Sequence, residues 1–218
     1  MKKYEFTGET KRVELWNRTA TLHRIKATVE FGFVKVGELG GWIEKEENLS
    51  HEGKAWVCGD AKVCGDAKVC GDAKVCGDAE VCGDAEVWGN AKVWGNAKVC
   101  GDAEVWGNAK VCGNAKVCGD AKVCGNAKVC GNAKVCGDAE VFLASHVLVM
   151  GSVGSRNDFT TFFRDKDNEI TVKCGCFLGK IDKFLEKVTQ THGNNKYALV
   201  YRAAVEVAKL QIELTERK

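Results

Sequence analysis

Residues 57–81 read VCGDAKVCGDAKVCGDAKVCGDAEV, and this stretch of near-identical six-residue units decides the fold. Valine recurs at every sixth position from Val57 to Val153, seventeen times without interruption. A repeat this strict predicts one structural unit stacked on itself many times. The same regularity leaves few positions for an active site within the repeats.

Each unit, such as residues 61–66, predicts a short strand followed by a corner. Side chains alternate in an extended chain, so Ala61 and Val63 point inward while the lysine and cysteine of the unit point outward. Gly65 and Asp66 interrupt this alternation, and both residue types tolerate turn conformations. Three corners of about 120° close a triangle, so about eighteen residues form one coil and the coils stack at about 4.8 Å.

Other periodic structures fit the sequence poorly. Glycine at every sixth position would cost roughly 1 kcal/mol each in a helix interior, and a period of six does not follow the helical repeat. Collagen needs glycine at every third residue and much proline. The chain has no proline, which suits a parallel solenoid because proline removes a ladder donor.

The repeat resembles the hexapeptide-repeat superfamily of left-handed parallel β-helices. Its usual motif is an aliphatic residue with a small residue two positions earlier, and Val63 with Ala61 and Val69 with Ala67 fit this motif. The resemblance implies a mainly β fold, a left-handed triangular parallel β-helix. The residues alone would not predict this hand, because crossover connections are usually right-handed.

The chain divides into three predicted segments. Residues 1–56 form an N-terminal β cap with an imperfect first coil, in which Ile43 and Leu49 are six residues apart. Residues 57–154 form the β-helix. Residues 155–218 form a C-terminal ββαα cap, with a hairpin, a helix that ends at Gly193, and a second helix. Caps are expected because an open coil exposes a sheet edge.

A narrower resemblance covers nearly the whole chain. Residues 34–57, VKVGELGGWIEKEENLSHEGKAWV, are similar to the leader of uncharacterised bacterial and phage-borne hexapeptide-repeat proteins. The tail motifs TTFFR, CGCF and THGNNKYALVYRAAVEVAK resemble the C-terminal part of the phage-type members. Some proteins of this group are labelled acyltransferases by analogy of fold, which is a weak argument for an activity.

Charge and hydropathy point to a cytoplasmic protein. The net charge of +2 gives no pull toward nucleic acid, and no apolar run reaches the roughly 18 residues of a membrane span. The first residues lack the apolar segment of a signal peptide. The thirteen cysteines are therefore expected to be mostly free thiols.

A coil of eighteen residues sorts the outward positions into three columns. Column one contains Cys58, Cys76, Trp94, Cys112 and Cys130. Column two contains Cys64, Cys82, Cys100, Cys118 and Cys136, and the corner beside it contains Asp66, Asp84, Asp102, Asp120 and Asp138. Column three contains Cys70, Trp88, Trp106, Cys124 and Phe142.

Column two is the candidate metal site, because thiolates hold soft metals such as Cu(I) or Zn(II). The favoured interpretation is structural, since parallel side chains do not converge on a tetrahedral ion. Disulfides within column two are not expected, because aligned Cβ atoms lie near 4.8 Å whereas a relaxed disulfide needs about 3.8 Å. In the tail, Cys174, Cys176 and His192 are too sparse for a metal site and are assigned to core packing.

The tryptophans are the candidate interface. Trp88 and Trp106 are expected to stack on adjacent coils, with Trp94 near the next corner. Exposed tryptophan is enriched at binding hot spots. The favoured interpretation is nevertheless that each indole lies flat along its own sheet face, with an oligomer or partner interface as the alternative.

No residue qualifies as catalytic. Acyl transfer, which the superfamily resemblance implies, needs a general base beside a groove and a loop that leaves the solenoid. The repeats contain neither, His51 precedes them, and His146 follows in a position expected to face outward. The sequence thus predicts a non-catalytic scaffold without a cofactor, either a homo-oligomer (a trimer is favoured) or a partner-binding rod. Acyltransferase and metal or small-ligand binder are the alternatives.

Overall fold

The computed structural model describes residues 2–15 and 18–214. It has a parallel β-solenoid of about 6 turns, a small antiparallel sheet after it, and two C-terminal helices. The mainly β solenoid fold is therefore confirmed. Its left hand stays a prediction from the resemblance.

Three strands form the N-terminal cap: β1 (Tyr4–Glu14), β2 (Thr19–Ala27) and β3 (Leu39–Ile43). They pair antiparallel in chain order, and β3 then pairs parallel with the first full repeat strand, Ile43 opposite Val63. Leu49 likewise bridges Val69. The imperfect first coil predicted around Ile43 and Leu49 is therefore present, and β1 and β2 extend one of its sheets beyond the solenoid.

The solenoid strands make three parallel faces, numbered after the columns they carry. Face one contains β4 (Trp56–Val57), β7 (Lys74–Val75), β10 (Lys92–Val93), β13 (Lys110–Val111) and β16 (Lys128–Val129). Face two contains β3, β5 (Lys62–Val63), β8 (Glu80–Val81), β11 (Lys98–Val99), β14 (Lys116–Cys118) and β17 (Lys134–Cys136). Face three contains β6 (Lys68–Val69), β9 (Glu86–Val87), β12 (Glu104–Val105), β15 (Lys122–Val123) and β18 (Glu140–Val141).

Alternation within each unit puts the small apolar residues inside. The repeat alanines and valines, from Ala61 and Val63 to Ala139 and Val141, are 0% exposed and form one continuous core. Every strand is in register with the one eighteen residues later, for example Val93 with Val111. The outward residues therefore stack in straight columns, as the period predicts.

The corners require glycine for two reasons, which Gly89 illustrates. Its φ is 68°, in the left-handed region that residues with a Cβ disfavour. A Cβ there would also lie 3.0 Å from the backbone nitrogen of Gly107 in the next coil. The coils therefore stack closely at the corners because no side chain separates them.

The C-terminal cap has two strands more than the predicted ββαα order. It contains β19 (Val147–Val153), β20 (Asp158–Arg164), β21 (Ile170–Cys174) and β22 (Phe177–Lys180), all antiparallel, then α1 (Ile181–His192) and α2 (Lys196–Gln211). The valine period continues into β19, but Val147 and Val153 pair with Phe163 and Asp158 there instead of forming a coil. Period alone could not show this, because a valine every sixth residue also fits a longer antiparallel strand.

Both helix boundaries agree with the sequence. Gly193 ends α1, and the side chain of Asn195 accepts hydrogen bonds from the backbone N–H groups of Tyr197 and Ala198 at the start of α2. Neither these helices nor any other helix in the part of the chain that the structure describes is long and apolar enough to cross a membrane.

Both ends of the solenoid are covered. At one end the buried Tyr4 donates its hydroxyl hydrogen bond to the carbonyl of Leu49, 2.8 Å away. At the other end Phe163 enters the solenoid core, and the N–H of Lys166 donates to the carbonyl of Asp138 at 2.9 Å. The caps therefore use hydrogen-bonding groups that an open coil would present to another chain.

Candidate functional site

Column one holds two disulfides, which the sequence argument did not expect for stacked cysteines. Cys58 is bonded to Cys76 and Cys112 to Cys130, with Cα–Cα separations of 4.7 and 4.6 Å. The prediction assumed side chains that project in parallel, and that assumption is wrong here. The side chains can lean toward each other while the backbones stay at ladder distance, and disulfides accept Cα separations from about 4.4 Å. Trp94 separates the two bonded pairs.

Column two is a file of five free thiols. Cys118 lies directly below Cys136, with the two Sγ atoms 2.8 Å apart, and the other three sulfurs continue the same line. Cys64 is 4% exposed because Leu22 of the hairpin formed by β1 and β2, and Trp42 of β3, cover it, whereas the remaining four thiols are half-buried. The absence of disulfides in this column agrees with the prediction, although the reason given for it does not hold.

Hydrogen bonding along the file sets the thiol acidities. The pKa of Cys100 is lowered because the thiols of Cys118 and Cys82 donate hydrogen bonds to its sulfur. The pKa values of Cys82 and Cys118 are raised, since each lies between two sulfurs and is held in its protonated form by hydrogen bonding with them, as in the bond from Cys118 to Cys136. The middle sulfur is therefore the thiolate that the column stabilises best.

The corner carboxylates beside column two are paired with lysines at the ends of the row and exposed to solvent in its middle. Lys45 pairs with Asp66 at 2.5 Å, and Lys166 pairs with Asp138 at 2.7 Å, so lysines from the two caps neutralise the ends of the row. Asp84, Asp102 and Asp120 between them are exposed to solvent. Within residues 2–15 and 18–214, no three His, Cys, Asp or Glu side chains are grouped as metal ligands.

The tryptophans occupy two neighbouring faces. Trp88 and Trp106 stack on face three, with ring centroids 5.3 Å apart and planes 5° from parallel, as predicted. Trp94 follows β10 on face one and is 37% exposed. Since the indole pair is half-buried and Trp94 is exposed, aromatic surface extends over both faces at mid-height.

The strand positions give the faces different charges. Face one carries lysine on every coil from Lys74 to Lys128, stacked in register with no carboxylate among them. Face three carries glutamates at Glu86, Glu104 and Glu140, with lysine at the two strands that remain. A cationic strip therefore lies beside Trp94, whereas the strip beside the stacked indoles mixes three glutamates with two lysines, and Glu86 already pairs with Lys68 at 3.3 Å.

The two histidines that flank the repeats pack against aromatic side chains at the two ends of the solenoid. His146 is buried at the C-terminal end of the solenoid, edge-on to Phe142, and does not face outward as the repeat phase suggested. The chain turns into a short 3₁₀ segment at Ala144–His146, which ends the alternation and rotates the ring inward. His51 stacks on Tyr4 in the N-terminal cap, and its Nδ1 accepts a hydrogen bond from the N–H of Lys3.

One cavity was not foreseen from the sequence. It measures about 370 Å³ and lies between β21, β22 and the helices, where Ser155 Oγ is 3.3 Å from His192 Nε2. Cys174 is half-buried at its edge, whereas Cys176 is exposed in the turn after β21, so the assignment of Cys176 to the core is wrong. A Cys-x-Cys spacing places both residues on one side only while the strand continues, and this strand ends between them.

No protein-family model and no curated protein matches the chain.

Proposed function

We propose that this protein is a non-catalytic scaffold, a rigid solenoid that associates side by side with further copies of itself, with a homotrimer as the favoured assembly. The finer identity that we propose is a left-handed hexapeptide-repeat protein of the phage type. The observation that carries the proposal is that both ends of the solenoid are covered while faces one and three present their outward side chains to solvent at mid-height.

The covered ends decide the direction of association. Coil-on-coil growth needs free strand edges, and the caps occupy those edges at Leu49 and Asp138. The N-terminal cap also covers part of face two, where Val13 and Leu15 pack near Cys64 and Cys82, but the outward residues of faces one and three at mid-height are exposed or half-buried. Contact through the faces is therefore the mode of assembly that the surface supports.

Charge and aromatic content favour contact between unlike faces. Face one presents stacked lysines beside the exposed Trp94, and face three presents glutamates beside the stacked Trp88 and Trp106. Packing face one of one copy on face three of the next joins opposite charges around an aromatic centre. Such a contact is heterologous, and heterologous contacts form closed rings when the rotation closes.

Light scattering coupled to size exclusion tests this proposal. The wild-type chain of 23.7 kDa is expected to elute at the mass of an oligomer near a trimer. Trp88→Ala with Trp106→Ala, or Lys92→Glu with Lys110→Glu, is expected to shift it to the monomer. Lys116→Glu with Lys134→Glu on face two changes net charge equally and is expected to leave the mass unaltered. A monomeric wild type would overturn the proposal.

Acyl transfer remains the alternative that the superfamily resemblance implies. It would need an accessible general base, whereas His146 is buried and His51 is half-buried in a stack against Tyr4. Calorimetric titration with acetyl-CoA distinguishes the two proposals, because a scaffold is expected to give no heat of binding whereas a transferase would bind the cofactor.

A further inference from the structure

Column two is a single file of five cysteines with nothing inserted: Cys64, Cys82, Cys100, Cys118 and Cys136. Their strands stack in register, Val63 on Val81, Val81 on Val99, and Val99 on Val117. Cys118 and Cys136 already have their sulfurs 2.8 Å apart. Each sulfur therefore has sulfur neighbours only directly above and below it.

Column one shows what this stacking permits. There the same eighteen-residue separation places cysteines at Cα distances of 4.7 and 4.6 Å, and both neighbouring pairs are disulfide-bonded. Trp94 divides that column into two pairs, so every cysteine has a partner. Stacked cysteines of this solenoid can thus be joined without a change of backbone register.

An odd number of cysteines gives column two a different property. Only adjacent sulfurs can bond, so five cysteines form at most two disulfides and one sulfur is always left over. Two complete pairs can be drawn only if the remaining sulfur is the first, third or fifth. The unpaired position is therefore restricted to Cys64, Cys100 or Cys136.

We propose that column two is a single-file thiol–disulfide exchange site whose co-reactant is a small-molecule disulfide. Two neighbouring thiols reduce one small disulfide through a mixed disulfide, which yields one protein disulfide and two small thiols. The odd thiolate then attacks the nearer sulfur of an adjacent protein disulfide. A new S–S bond forms as the old one breaks, and the far sulfur leaves as the thiolate, two coils away.

The attack is favoured by the arrangement of the file. Exchange requires a thiolate and proceeds through a line of three sulfurs, which is the direction of the column. Cys100, the central sulfur, can attack in either direction, toward Cys82 or toward Cys118. In the fully reduced file its pKa is lowered by hydrogen bonding with the thiols of Cys118 and Cys82, which increases its thiolate fraction for the first attack, on the small-molecule disulfide.

A groove gives access to the middle of the file. It measures about 350 Å³ and is lined by Cys82 and Cys100, with Leu15 and Arg18 of the N-terminal hairpin on its other side. Cys64 is 4% exposed and lies beneath that hairpin. A small disulfide therefore reaches the file at Cys82 or Cys100, and the end sulfur Cys64 is reached by exchange along the column.

A matched pair of variants tests the proposal, because both keep four cysteines in the column. Cys100→Ser leaves two adjacent pairs, so treatment with bis(2-hydroxyethyl) disulfide is expected to form two disulfides. Cys82→Ser isolates Cys64 and leaves a file of three, so only one disulfide can form. After an acid quench and alkylation in acidic denaturant, the intact mass shows how many sulfurs remain outside disulfides. Cys82→Ser is expected to leave two more such sulfurs than Cys100→Ser.

Equal numbers in the two variants would overturn the single file, as would a wild-type column that the disulfide does not oxidise. A second measurement uses the wild-type chain alone and does not depend on the folding of a variant. Fragmentation of the intact oxidised protein in a mass spectrometer locates the remaining sulfur. Tryptic digestion is avoided, because the identical peptides of the repeats would not show which position a sulfur came from. It is expected at Cys64, Cys100 or Cys136, and finding it at Cys82 or Cys118 would exclude the mechanism.

Discussion

The indole rings of Trp88 and Trp106 lie 5.3 Å apart and within 5° of parallel, one coil above the other on face three. An in-register solenoid imposes this stack, because β9 and β12 pair Val87 with Val105 and so align the residues that follow. The same repeat that aligns valines in the core aligns aromatic rings outside it.

This stack predicts a measurable coupling between the two tryptophans. In a Lys92→Glu, Lys110→Glu background, which is expected to be monomeric, a double-mutant cycle with Trp88→Ala and Trp106→Ala is expected to give a coupling free energy of about 1 kcal/mol in urea unfolding. The control cycle pairs Trp106→Ala with Trp94→Ala on face one, where the coupling should be close to zero. Equal coupling in both cycles would show that the stack itself adds nothing.

Substitutions at two corner glycines allow the cost of backbone strain to be measured apart from the cost of crowding between coils. Gly89 and Gly131 both have φ of 68°, but a Cβ at Gly89 would lie 3.0 Å from the nitrogen of Gly107, whereas nothing lies within 4 Å of one at Gly131. Gly131→Ala is expected to lower the free energy of unfolding by about 1 kcal/mol through strain alone. Gly89→Ala should cost clearly more, and thermal unfolding of the two variants compares them. Similar losses would mean that the coils can move apart at little cost.

The solenoid could be predicted because every unit repeats the same physical argument. Alternation, a corner and a small core residue recur so often that one unit such as residues 61–66 describes the whole, and the stacked tryptophans follow from the coil length. The first coil was also visible, since Ile43 and Leu49 keep the spacing although two extra residues separate Leu49 from Val57.

The departures occur where residues act outside the repeat. The disulfides of column one depend on side-chain rotations that spacing does not show. The inward turn of His146 follows from the 3₁₀ segment that ends the alternation, and the antiparallel pairing of β19 depends on β20, which lies beyond the periodic segment. The cavity beside Ser155 and His192 joins residues 37 positions apart and has no local pattern.

Asn48 forms a buried hydrogen-bond network that the repeat motif does not predict. Its buried side chain accepts hydrogen bonds from the N–H groups of Glu44 and Lys45, and donates to the carbonyls of Gly65 and Ala67 at 3.0 and 2.8 Å. Asn48→Asp would replace both donors with a carboxylate oxygen that faces two carbonyls. We expect the free energy of unfolding to fall by about 3 kcal/mol or more.

The control for this substitution is Asn108→Asp. Asn108 is exposed and its side chain hydrogen-bonds only to the stacked asparagines Asn90 and Asn126. Its replacement is expected to change stability by less than about 1 kcal/mol. If urea unfolding gave equal losses for the two variants, the buried network around Asn48 would not stabilise the first corner.

Asp165 predicts how the C-terminal cap responds to acid. Burial raises the pKa of this carboxyl group, but hydrogen bonds from Lys180, 2.7 Å away, and Thr171, 2.5 Å away, outweigh burial and hold it below its usual value. The pKa of an aspartate carboxyl group in the unfolded chain is about 3.9, so below that pH the folded state binds fewer protons than the unfolded state. The stabilisation is complete above about pH 4 and is lost as pH falls through the lower folded pKa.

Asp165→Asn should therefore be less stable than the wild type by about 3 kcal/mol at neutral pH, because the amide would place a donor against Lys180 and Thr171. The difference should shrink between about pH 4 and pH 2, where the wild-type carboxylate becomes protonated. Thermal unfolding of both proteins across this range measures the gap. Asp167→Asn is the control, since Asp167 also pairs with Lys180 but its side chain is 59% exposed, and its gap should be small at every pH. A gap for Asp165→Asn that stayed constant down to pH 2 would show that its charge does not hold the cap on the last coil.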